Sequence, residues 1–305
     1  MNSRRIVIAG GSGFLGSAAS RFFAAQHYEV VVLSRFRHED HDGIRYMLWD
    51  GRTPADWTAV LEGALALINF SGRSIDCRFT PENRREILES RINSVEALFE
   101  AAGRCVVPPL VYIQASSIGY YGNTRSLCFE DSPQGTGFLA QVCARWEEAF
   151  LSRELPQTRK VLLRIGLVLD RNQGILRKLV PLARNFLGGT MGQGGQHMSW
   201  IHIEDFNRML QFAIDQPTVE GVCLATGIHP VTNRVFMATL RRVLRRPWAP
   251  AIPGLLIRLG AILWMRTDPS LVLEGAGCVP KKILSKGFVF RYTRLMQALK
   301  HLTGR

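Results

Sequence analysis

Apolar positions along this chain fall into short β-branched runs separated by longer periodic stretches. Ile6-Val7-Ile8-Ala9 is the first run and stops at a glycine cluster. A small-residue stretch, Ser17 to Ala25, follows and reads as helix, and Glu29-Val30-Val31-Val32-Leu33 is the second run. Three more runs are Leu65–Phe70, Leu110–Ala115 and Lys160–Ile165. Between them, residues 81–102 carry an apolar stripe at Ile87, Ile92, Val95, Leu98 and Phe99, with Pro81 near the start. Phe138 to Leu151 reads as another helix. Strands alternating with helices predict an α/β fold, a Rossmann-type doubly wound parallel sheet.

The pattern changes near residue 170. Glycines crowd residues 188–195, and Ser199 to Asp205 leads into a helix for which Asp205 is the candidate N-cap. A further helix is expected over 233–246, and a small mixed segment from Pro247 onward. The expected division is a nucleotide-binding domain over 1–170, with later elements folding back onto it. A smaller substrate-side region over 171–305 would include a C-terminal module at about 247–305. The apolar stretch Gly254 to Met265 contains Arg258 and is too short to span a bilayer.

The glycine cluster carries the chemistry. Gly10, Gly13 and Gly16 are spaced G-x-x-G-x-x-G between a strand and a helix, the context a dinucleotide fingerprint requires. The first two let the chain turn and let backbone N–H groups approach a pyrophosphate; the third lets helix and sheet pack closely. Ser34-Arg35 follows the second run, where an acid usually reads the ribose hydroxyls of NAD. Arginine there suits a 2′-phosphate, so NADP(H) is preferred, with NAD(H) as the other option. Ser116 to Gly122 follows the fourth run, and Ser117 and Tyr121 are the candidate proton-exchanging groups. The same residues also read as a polar turn with packing tyrosines. His202 either shuttles protons or holds its loop through a backbone hydrogen bond, and Trp200 reads as a packing residue.

Composition adjusts this picture slightly. The chain has 305 residues, 47% hydrophobic and 21% charged, which fits a globular protein with a substantial core. Its six cysteines show no C-x-x-C or metal spacing, so a reduced, cytoplasmic protein without a metal is expected. The apolar run after Arg4-Arg5 is too short for a signal peptide. Net charge is +13, but the arginines sit at helical spacing beside apolar residues and read as solvated faces. The expected partner is therefore a small-molecule substrate, with neither nucleic acid nor membrane.

These stretches resemble the extended short-chain dehydrogenase/reductase superfamily, and more narrowly its SulA-related epimerase family, labelled NAD-dependent epimerase/dehydratase. The likeness is carried by GGSGFLG at 10–16, LSR at 33–35, INFSGRSI at 68–75 and FTPENRREILESRI at 79–92. It continues through SSIGYYG at 116–122, CARWEEAF at 143–150, LRIGLVL at 163–169, GGQHMSWIHIEDF at 194–206 and HPVTNRVF at 229–236. LVLEGAGCVPKKILSKGFVFRY at 271–292 is similar to the family's C-terminal module. The resemblance implies NADP(H) contacts at Gly10, Gly11, Ser12, Gly13, Phe14, Leu15 and Gly16, at Ser34 and Arg35, and at Phe70 and Ser71. It adds Glu86, Arg91 and Val168; from the residues alone, Glu86 and Arg91 read as a solvated helix face. Phe138-Leu139-Ala140-Gln141-Val142 stands where the superfamily carries Tyr-x-x-x-Lys, a pair this narrower family often lacks. The expected activity is oxidoreduction or epimerisation of a carbonyl or sugar-like substrate; the alternative is an NADP(H)-binding regulatory protein.

Overall fold

The structure is a computed structural model that describes residues 4–246, 248–260 and 267–304. Seven parallel strands form the central sheet: β1 (Arg5–Ala9), β2 (Glu29–Ser34), β3 (Ile44–Leu48), β4 (Ala66–Asn69), β5 (Val111–Ser117), β7 (Arg159–Ile165) and β11 (Gly221–Ala225). Their spatial order is β11-β7-β5-β4-β1-β2-β3, so the strand order reverses direction beside β1. That is the doubly wound arrangement the alternation predicts, and its crevice opens at the strands' carboxyl ends. β3 and β11 were not anticipated. Both are edge strands: Arg45 interrupts the apolar run of β3, and β11 is a short run that opens on Gly221 with φ +64° and has one β-branched residue.

Three two-stranded ribbons pair β6 (Leu127–Cys128) with β13 (Gly277–Cys278), β8 (Leu167–Leu169) with β10 (Trp200–His202), and β9 (His197–Met198) with β12 (Val231–Thr232). The helices are α1 (Phe14–Ala24), α2 (Pro81–Gly103), α3 (Phe138–Leu151), α4 (Gly174–Arg184), α5 (Ile203–Asp215) and α6 (Asn233–Val243). Four follow toward the C-terminus: α7 (Gly254–Gly260), α8 (Ser270–Leu273), α9 (Lys281–Ser285) and α10 (Leu295–Thr303). α1 starts three residues before the expected Ser17, directly at the glycine turn. α6 stops at Val243, short of the expected 246, and Arg245 follows with φ +57°. From position 261 the stretch read as Gly254 to Met265 lies outside the described residues. Among the described residues, no helix is long and apolar enough to cross a membrane.

α2 begins where Thr80 Oγ1 accepts from Asn83 N at 3.2 Å and Pro81 occupies its first turn, so two local signals fix its start. The core lies between sheet and helices, with Ile6, Val31, Leu67, Ile113 and Leu163 fully buried along successive strands.

Candidate cofactor site

The carboxyl ends of β1, β2 and β4 open onto a cavity of about 510 Å³. Its wall includes Gly10, Ser12 and Gly13, then Ser34 to Phe36, then Phe70 to Gly72. Three separate sequence stretches therefore meet because parallel strands all end on one side of the sheet.

The glycine turn is built by local sterics. Gly10 has φ +74°, and a Cβ there would stand 2.9 Å from the Phe70 carbonyl carbon and the Ser71 nitrogen. A Cβ on Gly16 would stand 2.4 Å from Gly10 O, so the third glycine lets α1 touch the turn. Gly13 differs: its φ is −78°, and a Cβ would meet only Gly10 O at 3.4 Å. No side chain caps α1 at Gly13 and its first turn holds no acid, which leaves the helix's positive end facing outward.

Ser34 Oγ donates to Ser12 Oγ at 3.2 Å and accepts from Phe36 N, tying the end of β2 to the turn. Arg35 beside it is exposed on the cavity wall. Arg52 lines the same cavity and was missed by sequence reasoning. Asp50 Oδ1 accepts from Arg52 N and Thr53 N, each at 2.8 Å, and so shapes the loop that carries Arg52. Burial opposes the Asp50 charge, but these backbone N–H groups outweigh it and hold its pKa below the usual value. The signal was an Asp-Gly-Arg turn after an unrecognised strand.

Asn69 bends the chain into the third wall. Its amide nitrogen donates to Gln114 Oε1 at 3.0 Å, and its Oδ1 accepts from Ser71 N at 2.9 Å. Ser71 Oγ is buried without a hydrogen-bond partner, an atom that a ligand hydroxyl or phosphate oxygen would satisfy.

Glu86 and Arg91 do not line this cavity. Glu86 pairs with Arg73, and Arg91 donates to Arg73 O at 3.0 Å and Ile87 O at 2.8 Å. The Arg91 guanidinium lies 5.0 Å from the Trp146 ring centroid, and burial lowers its pKa to about 10. A Cβ on Gly72 would stand 3.2 Å from Arg91, so this arginine supports the 70–73 turn from behind. Gly11, Phe14, Leu15, Gly16 and Val168 also lie off the wall. A Cβ on Gly174 would meet both the Phe14 ring, at 2.9 Å, and Val168 O, which brings β8 to the glycine helix.

The 116–121 loop follows β5. Ser117 is half-buried, and its Oγ accepts from Gly119 N at 3.1 Å. Tyr121 departs from the expected acid or base. It is 2% exposed, donates to Phe129 O at 2.6 Å and accepts from Arg164 Nη1 at 2.7 Å. Burial pushes its pKa well above the ordinary tyrosine value, so its hydroxyl is structurally committed. Arg164 is the hub. It donates twice to Glu147, at 2.9 and 2.8 Å, and its guanidinium lies 3.5 Å from the Tyr120 ring centroid. Burial alone would lower the Arg164 pKa; Glu147 outweighs it and raises it. Ser116 Oγ also donates to Glu147, at 2.6 Å. The signal for this network was a charge inside an apolar strand facing another on a helix's inner face.

Asp205 is not the N-cap of α5. His202 is: its extended backbone ends β10, and its Nδ1 accepts from Glu204 N at 3.1 Å. Asp205 is instead fully buried in the first turn, accepting from Arg291 N, Tyr292 N and Arg208. With Nδ1 accepting, neutral His202 carries its proton on Nε2, 3.1 Å from His301 Nδ1. His202, Glu204 and His301 are, among the described residues, a group close enough to hold a metal ion. That proton stands where His202 would coordinate, so the geometry is a capping chain. Burial, with His301, lowers the His202 pKa to about 3. Trp200 packs fully buried.

The family model described as the NAD dependent epimerase/dehydratase family matches residues 6–222, and a domain of unknown function, DUF1731, matches 252–302. The epimerase family protein ML0860 of Mycobacterium leprae is 33% identical over 302 residues, covering 98% of this chain and 96% of its own. The epimerase family protein YfhF of Bacillus subtilis is 31% identical, covering 97% of each. The crystal structure of human epimerase family protein SDR39U1, isoform 2, with NADPH is 27% identical with a TM-score of 0.87, covering 99% of each chain.

Proposed function

The chain belongs to the NAD-dependent epimerase/dehydratase family, and from that premise we propose an NADP(H)-binding oxidoreductase or epimerase acting on a carbonyl or sugar-like small molecule. The observation that carries the reading is the shared wall of the cavity. An uncapped helix end, two arginines and Ser71, whose Oγ has no hydrogen-bond partner, line one space. The residues fit the cofactor. Gly10, Ser12 and Gly13 would hold the pyrophosphate, Arg35 and Arg52 the 2′-phosphate, and Phe70 and Ser71 the adjoining sugar. NADH lacks the 2′-phosphate and gains nothing from the two arginines, so NADP(H) is the preferred form.

The cofactor held there would supply hydride chemistry. The chain's own part is positioning and one hydroxyl. Ser117, at the carboxyl end of β5, is the group we assign to the substrate oxygen, with Tyr121 holding the loop beneath it. Phe138 packs against Phe79 at 4.8 Å between ring centroids, and Val142 is buried, so neither replaces the superfamily's Tyr and Lys. That same observation favours a second reading, a regulatory protein that binds NADP(H) without turnover. All six cysteines are free, which supports a reducing, cytoplasmic location as part of the proposal. Calorimetric titration with NADPH and NADH, followed by a carbonyl and sugar-nucleotide screen, tests the reading. Failure to bind either cofactor overturns it; tight NADPH binding without turnover selects the regulator.

A further inference from the structure

The chain's net positive charge is concentrated in two stretches of its sequence. Residues 171–203 and 221–267 contain four and seven Lys or Arg residues and not one Asp or Glu. These two stretches therefore supply +11 of a net charge of +13. In the fold the described parts of these stretches lie against one another. Arg246 Nε donates to Arg184 O at 3.1 Å, Arg241 Nη1 to Gly188 O at 2.8 Å, and Ile252 N to Thr190 O at 2.8 Å.

Large apolar side chains stand open on the same face. Trp248 and Leu255 are 67% and 69% exposed, and Phe186, Leu187 and Leu256 are about half exposed. Arg184 is exposed two residues before Phe186, the Arg246 guanidinium lies 5.2 Å from the Phe186 ring centroid, and Arg242 and Arg245 are exposed just before Arg246 in the chain. Exposed apolar groups gathered in one place mark an interaction surface.

We propose that this face docks on an anionic lipid bilayer, as a peripheral attachment and not a span. Arginines at lipid phosphates and Trp, Phe and Leu tips in the headgroup–acyl boundary satisfy both parts of the surface at once. Charge argues against the other occupants. A second copy of the chain would set one basic surface against another. Nucleic acid would satisfy the arginines but give Leu187, Leu255 and Leu256 no ring to stack on and no hydrocarbon to enter. None of these residues lines the cavity walled by Gly10 and Arg35, so the inference stands independently of the cofactor reading.

Vesicle flotation of the full chain tests it, comparing equimolar phosphatidylglycerol–phosphatidylcholine vesicles with phosphatidylcholine alone. The wild type should float only with the anionic vesicles, and less at high salt. Trp248→Ser with Leu255→Ser, and separately Arg242→Glu with Arg245→Glu, should each weaken binding about tenfold or more. Circular dichroism establishes that each variant is folded; if one is not, the two wild-type vesicle arms still decide. Absence of flotation, equal flotation on neutral vesicles, or unchanged flotation of both folded variants overturns the proposal. Binding to duplex DNA but to neither vesicle, or a dimer abolished by the apolar variant without vesicle binding, overturns it in favour of those partners.

Discussion

Arg35 and Arg52 stand on the wall of one cavity, although the whole of β3 separates them in sequence. Parallel pairing of β2 with β3 brings the loop after each strand to the same sheet edge. Two guanidinium groups there favour a dianionic phosphate over a ribose hydroxyl. A charge-assisted hydrogen bond contributes about 1.5–3 kcal/mol, so Arg35→Ala should weaken NADPH binding by roughly one to two decades. Arg52→Ala should act in the same direction. Both should leave NADH affinity nearly unchanged in calorimetric titration; equal weakening of the two cofactors removes the 2′-phosphate assignment.

Gly13 and Gly16 should separate ligand binding from folding. Gly13→Val places a branched side chain where no protein atom is closer than 3.4 Å to its Cβ and where φ is ordinary. The variant should fold and lose NADPH affinity. Gly16→Val drives a Cβ to 2.4 Å from Gly10 O and should lower the melting temperature itself. Thermal melts beside titrations check both; a folded Gly13→Val variant with undiminished affinity counts against the pyrophosphate site.

Glu147 and Arg164 are 4% exposed each. Removing one partner leaves an uncompensated buried charge, so Glu147→Ala should cost about 3–5 kcal/mol of stability. Tyr121→Phe takes one partner each from Arg164 and Phe129 O and should cost about 1–3 kcal/mol. Urea denaturation measures both. If a substrate is found, Ser117→Ala should abolish turnover, whereas Tyr121→Phe should change it only as far as it loosens the loop.

His202 makes folding sensitive to mild acid. Its folded pKa, about 3, lies below the unfolded value of 6.5, so the folded state binds fewer protons. The stability this gives is fully present above pH 6.5 and falls as pH drops toward 3. Within that window the slope from this residue approaches about 1.4 kcal/mol per pH unit. His202→Asn keeps an acceptor for the Glu204 N–H and should flatten the slope. Urea midpoints measured from neutral pH downward test this; identical pH dependence in both proteins is the contrary result.

Much of the scaffold was legible because its causes are local. Five of the seven central strands announced themselves as β-branched runs, and α2 was bounded by Thr80 and Pro81 at its start. β3 was not legible because Arg45 and exposed positions interrupt its apolar run, and β11 because its short run Gly221–Ala225 opens on a glycine with φ +64° and carries a single β-branched residue. In the candidate site, the glycine turn, Ser34-Arg35 and Phe70-Ser71 were found in sequence and meet at one cavity. Glu86 and Arg91 were singled out by resemblance, and the fold leaves both off that cavity's wall.

By itself the sequence determined the period of the strands and helices and the tight turn at Gly10. Backbone sterics and the burial of one face depend on neighbours a few residues away. Only the tertiary structure decided which polar groups are free to act. Tyr121 and Ser117 look alike on the chain, yet one hydroxyl is locked between Arg164 and Phe129 O while the other is only half-buried. Asp205 looks like a cap, yet the chain's later turn at Arg291 claims its carboxylate and leaves His202 to cap α5. Burial and hydrogen-bond partners are set by residues distant in sequence, and they fix the protonation and reach of each side chain.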